Sequence, residues 1–73
     1  MAQQTKNAIR RAFIQLLNER PLDKISIKDI AEKGAVNRNT FYYYYADIYA
    51  LVEDILQLEI QDFQSKLRRY DSW

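Results

Sequence analysis

The 73-residue chain has no cysteine, no histidine, one glycine and one proline. Without cysteine it has no disulfide and no thiolate metal site, which fits a reducing, cytoplasmic compartment. Without histidine it also lacks the commonest metal ligand and the commonest catalytic base. No metal, no cofactor and no enzymatic activity are therefore expected. Carboxylates such as Glu53, Asp54 and Glu59 read as a solvated helix face with no partner cluster. So little glycine and proline leaves small room for hairpins or a sheet. No apolar run approaches the roughly 20 residues that span a bilayer. The opening "MAQQTKNAIRR" lacks the continuous apolar core of a signal peptide, so no membrane partner is expected. The length gives one domain, close to the lower size at which a single core is stable unaided.

What charge there is lies unevenly. The net charge is +1, with +3 in residues 1–20, +1 in residues 21–45 and −3 in residues 46–73. A basic front and an acidic back are consistent with one face turned to a polyanion, and equally with ordinary surface scatter.

Periodicity and punctuation describe four helices. The first is expected to start near Thr5, with Ala8, Ile9, Ala12, Phe13, Leu16 and Leu17 as its inward stripe and Lys6, Arg10 and Arg11 off it. It ends before Pro21, since the residue preceding a proline leaves the helical region. Leu22 then pins the turn. The second spans about 27–33. Ser26 and Asp29 form a capping box, and Ile25 and Ile30 the flanking hydrophobic staple. Gly34 stands where a left-handed residue ends a helix. Asn37 caps a third helix over about 38–45, separated from the second only by Gly34, Ala35 and Val36. Two short helices around such a turn have the sequence form of a helix-turn-helix. Asp47 caps the fourth, whose inward residues are Ile48, Leu51, Val52 and Ile55. Its stripe continues as Leu56, Ile60, Phe63, Leu67 and Tyr70. From Ile48 to Tyr70 the rise is about 35 Å, against roughly 30 Å for a compact domain of this length, so the last turns should overhang.

The run Phe41-Tyr42-Tyr43-Tyr44-Tyr45 places five rings side by side. At about 100° per residue, Phe41 and Tyr45 share the inward face, while Asn39 and Tyr43 point away from it. Tyr42 takes one flank and Thr40 with Tyr44 the other. Arg38 can swing its long side chain to the exposed tip. The outward groups suit DNA. Arg pairs bidentately with guanine, Asn with adenine, and a ring packs on the thymine methyl; hydroxyls donate to phosphate. A tyrosine-rich face also suits protein interfaces, and Tyr44 suits the rim of the core as well as it suits phosphate.

Residues 26–51, "SIKDIAEKGAVNRNTFYYYYADIYAL", resemble the helix-turn-helix of the tetracycline-repressor (TetR) family of bacterial transcription regulators. The motifs that carry this are I-x-x-I-A, then V-x-x-x-T-F-Y-x-Y-aromatic, then x-D-x-x-x-L; the likeness extends back over "TKNAIRRAFIQLL" and on to about residue 60. It implies an all-α chain, a three-helix head of homeodomain type with the helix-turn-helix at about 26–45 and a connecting helix at about 47–70. It also implies that the third helix enters the major groove of a palindromic operator as a homodimer on double-stranded DNA. By the same resemblance Arg38, Asn39, Tyr42 and Lys28 address bases, and Thr5, Lys6, Thr40, Tyr43 and Tyr44 hold phosphate. Three departures stand out. The family has Ala-Gly where this chain has Gly34-Ala35, which would displace the left-handed residue by one. Ile48 occupies the place of a lysine that commonly meets phosphate. The family's larger C-terminal domain has no expected counterpart in these 73 residues, so no small-molecule inducer site is expected to carry over.

The reading is a sequence-specific DNA-binding domain of a bacterial regulator, a repressor by type. Leu56, Ile60, Phe63 and Leu67 are its expected dimer or C-terminal-domain packing surface. The alternative is a small α-helical protein-interaction module without DNA binding.

Overall fold

The computed structural model describes residues 2–71, with side chains from 3 to 68. Its elements are α1 (Ala2–Glu19), a 3-10 turn (Leu22–Lys24), α2 (Ile27–Lys33), α3 (Arg38–Tyr44) and α4 (Ile48–Asp71). Among the described residues there is no strand, and no helix is long and apolar enough to cross a membrane.

α1 begins three residues earlier than its sequence implies, so Thr5 lies inside the helix and is not its cap. Ile9, Ala12, Phe13 and Leu16 form its buried stripe. Leu17, expected inward, is exposed beside Ile14, because α4 covers only part of that side and leaves an apolar hollow lined by Phe13, Ile14, Leu17, Leu22, Val52, Ile55 and Leu56. Leu22 lies half-exposed on the 3-10 turn, and Ile25 is the residue of this connection that enters the core.

The second helix starts as its sequence dictates. The Asp29 N–H donates to Ser26 Oγ and the Ser26 N–H to Asp29 Oδ2, both at 3.1 Å. These bonds satisfy two of the donors a helix start leaves open. The hydrogen bond from the Ser26 N–H is also the main reason that the Asp29 carboxyl sits below its usual range.

Its end differs from expectation. Gly34 is right-handed (φ −85°, ψ 0°), and Ala35 carries the positive φ, 58°. The Val36 N–H reaches the Ala31 carbonyl at 2.9 Å and the Ala35 N–H the Glu32 carbonyl at 3.2 Å, a Schellman closure with alanine at its left-handed position. The glycine answers a different need. A Cβ on Gly34 would stand 3.4 Å from the Ala8 carbonyl oxygen and 3.3 Å from that of Ile30. Here α2 meets α1 closely, and missing side-chain bulk matters more than backbone freedom.

Phe41, Ile9, Ile30 and Leu51, one residue from each helix, are fully buried at the centre. Asn37 Oδ1 accepts the Thr40 N–H at 2.8 Å and caps α3, and Asp47 Oδ1 accepts the Ala50 N–H at 2.9 Å and caps α4. Ile48, Val52 and Ile55 pack against the core; from Leu56 to Arg68 every residue is exposed. The protruding half of α4 stretches the molecule to 47 × 29 × 18 Å.

Candidate nucleic-acid interface

Helix α3 sorts its rings as its phase requires. Phe41 is fully buried and Tyr45 nearly so, while Tyr43 is 81% exposed. Tyr42 is half-exposed, its ring edge-on to Phe41 with centroids 5.8 Å apart. Tyr44 is partly buried and packs on the core rim, holding Tyr43 in an edge contact at 4.9 Å. The rim role weighed for Tyr44 is thus the one the fold supplies. Tyr45 falls just past the helix, as its extended C-cap (φ −138°, ψ 130°).

The structure gathers Asn39, Thr40, Tyr43 and Tyr44 with Asn37 around one open concavity. Arg38 and Tyr42 lie exposed on the other side of Asn39, and Lys28 is exposed in the first turn of α2. Among the described ion pairs, Arg20 is tied to Asp29, Lys33 to Glu19 and Arg10 to Asp54, whereas Lys28 and Arg38 take part in none. Arg38 thus shares its short helix with Asn39 and three phenols, and Lys28 is an exposed cation on the helix before it. The Thr40 hydroxyl donates its single proton to Asn37 Oδ1 at 3.0 Å. It serves here as a second arm of the cap, and it can give that proton to a phosphate only by turning from Asn37. Lys6 is directed at its own protein, 4.0 Å from Asp54 Oδ2 and 5.6 Å above the Tyr45 ring.

Periodicity missed the polar cluster behind α3. The Tyr45 hydroxyl donates to Asp54 Oδ2 at 2.5 Å, and Arg10 Nη1 donates to the same oxygen at 2.8 Å and to the Tyr45 oxygen at 3.4 Å. Arg10 Nη2 also donates to Asn7 Oδ1. Arg10 is only 9% exposed, so Asp54 is no bystander on a solvated face. Donation by Tyr45 is the largest cause holding the Asp54 carboxyl below its usual range, with Arg10 adding to it. Burial, then the hydrogen bond to Asp54, pushes the Tyr45 phenol up to about 12. The sequence signal was faint. Arg10 flanks the stripe of α1 and Asp54 that of α4, one of each sign, a pattern that most often marks plain surface charge.

A short helix, a tight turn and a second short helix with outward amides and phenols match one family description, bacterial regulatory proteins of the tetR family, over residues 9–55. The chain belongs to the tetR family. Two Bacillus subtilis proteins are similar to it. The HTH-type transcriptional regulator YxbF is 33% identical over 57 residues, covering 78% of this chain and 15% of its own length. The HTH-type transcriptional regulator YvdT is 39% identical over 49 residues, covering 67% of this chain and 25% of its own length. The chain thus spans a quarter or less of these relatives. No solved structure matches it significantly. Residues 9–55 form the helix-turn-helix head that the tetR-family description covers, an all-α fold with a fourth helix running on from it. In that fourth helix Ile48 packs against the core, so the position carries packing and no cation.

Proposed function

We propose that this head binds double-stranded DNA in the cytoplasm, in a sequence-specific way and as a pair, with α3 in the major groove of a two-fold operator. The observation that carries the reading is the outer face of α3. The side chains of Arg38, Asn39 and Tyr42 are exposed there and make no ion pair or hydrogen bond to the protein among the described residues, while Phe41 and Tyr45 anchor the opposite side. Arg38, Asn39 and Tyr42 read base edges, and Lys28 reaches the groove or backbone from α2. Tyr43, Thr40 and Tyr44 set the register on phosphate oxygens, Tyr44 with what its rim position leaves free. Thr5, placed inside α1, approaches phosphate by side chain and not through the open N–H groups of a helix start, and Lys6 does so by turning away from Asp54. Leu56, Ile60, Phe63 and Leu67 are the pairing surface; Tyr70 extends that stripe in sequence but its side chain lies outside those described. Repression of the bound promoter follows as the regulatory outcome.

Selection from a random DNA pool, followed by titration of variants, tests this. Asn39→Ala should lose about 1–3 kcal/mol on the selected duplex and relax preference at one base pair. Thr40→Ala should weaken all duplexes alike. Equal loss on selected and random DNA for Asn39→Ala would remove its reading role. Affinity that ignores salt would point to a protein-binding face instead, since phosphate contacts make binding fall steeply with log[salt].

A further inference from the structure

Helix α3 is seven residues long, and its inward anchors are Phe41 and Tyr45. Apolar burial holds Phe41 in place but is non-directional, so it tolerates small rotations and tilts of the helix. Hydrogen bonds do not, because they weaken steeply when bent or stretched. The directional tie at the C-terminal end of α3 is the Tyr45 hydroxyl, whose proton goes to Asp54 on α4. Asp54 is in turn fixed by Arg10 of α1 through the same oxygen. Three elements thus meet on one carboxylate behind the outer face of α3. Base-edge contacts require side chains placed to about 0.5 Å; phosphate contacts by long, flexible cations are far more forgiving.

From this arrangement, and resting on the DNA-reading role above, we infer that Asp54, held by Arg10, is a positioning residue for α3. By accepting the Tyr45 hydroxyl it sets the orientation at which Arg38, Asn39 and Tyr42 meet the bases. It touches no DNA itself. Its charge also belongs to the arrangement, since a neutral residue would leave the buried Arg10 guanidinium without a counter-charge. Tyr45→Phe removes one hydroxyl and keeps the ring in the core, so it isolates orientation from packing.

The test compares the parent chain with Tyr45→Phe and Asp54→Asn. It uses the duplex selected above, a random-sequence duplex at the same salt, and backbone hydrogen exchange without DNA. Tyr45→Phe should melt cooperatively, and its amides at 42–45 should exchange faster by about tenfold while those of residues 9–16 do not change. Affinity for the selected duplex should fall about tenfold and that for random DNA stay within about twofold. Asp54→Asn should behave alike if it folds, and Tyr45→Phe decides the matter if it does not. Unchanged exchange at 42–45, or an equal loss on both duplexes in a folded variant, overturns the inference. A parent that binds neither duplex refutes the DNA reading itself, a result kept apart from the Tyr45–Asp54–Arg10 contact because exchange is measured without DNA.

Discussion

The two halves of α4 carry the same kind of stripe and meet different fates. Ile48, Leu51, Val52 and Ile55 recur at helical spacing and pack on the head, with Leu51 fully buried. Leu56, Ile60, Phe63 and Leu67 continue the rhythm, and all four are exposed, Phe63 by 62%. Periodicity states which face of a helix is apolar, and it is silent about whether anything lies opposite. Against the first half stand α1 and α3. The second half has outrun them, because α4 rises about 36 Å and the head does not extend that far. Apolar surface left in water is unfavourable by about 25 cal/mol per Å², which is the reason to assign this half a partner.

The comparison is broken most directly by truncating one ring from each region. Phe41→Ala should cost about 3–5 kcal/mol, against roughly 4–11 kcal/mol of total stability for a chain of this size, and a thermal melt followed by circular dichroism should show the midpoint lowered by about 12–40 °C. Phe63→Ala should leave the melt nearly unmoved at concentrations low enough that the chain is monomeric. Comparable losses at the two positions under those conditions would mean that the distal stripe is packed within its own chain.

Phe63→Asp sharpens the same contrast at the level of assembly. The unmutated chain should sediment as a concentration-dependent dimer, and the aspartate should abolish this while residues 5–52 remain folded. A parent that stays monomeric at high micromolar concentration without DNA would leave the stripe to some other partner.

Smaller effects of opposite sign are expected at the turn within the head. Ala35→Gly relieves a left-handed alanine and should stabilise by about 1 kcal/mol or slightly less. Gly34→Ala should destabilise, because its Cβ would press on the backbone oxygens of Ala8 and Ile30. Paired denaturant titrations settle both signs.

The mildest perturbation is pH. Tyr45 has a folded pKa raised from 10 to about 12. Its contribution is therefore complete below pH 10 and lost as pH rises through about 12. Asp54 is shifted the other way, so its contribution is present above the ordinary carboxylate value of 3.8 and lost as pH falls below it. Tyr45→Phe should remove a phenol that titrates at about 12 from the alkaline absorbance curve and flatten the stability loss above pH 10. An unaltered curve would place the hydroxyl in water.

How much was legible depended on whether a feature is local. Ser26 with Asp29, and Asn37 three residues before Thr40, form their caps within one turn of chain, so their residue types specify both helix starts. The ring phase of α3 follows from 3.6 residues per turn once Phe41 is set inward. The family resemblance drew on the same local pattern, and the match over residues 9–55 agrees with it. Sequence alone therefore determined the helix-turn-helix, its caps and the outward face of Arg38, Asn39, Tyr42 and Tyr43. The tertiary structure decided what depends on distant neighbours. Ala35, and not Gly34, takes the left-handed position because the Schellman closure of α2 falls one residue later, while Gly34 lies against Ala8 and Ala12 of α1. Leu17 stays in water because α4 leaves a gap beside it. Arg10, Tyr45 and Asp54 meet across 35 and 44 positions of chain, and a separation of that kind has no period to read: only the packing of three helices brings those groups within reach of one another.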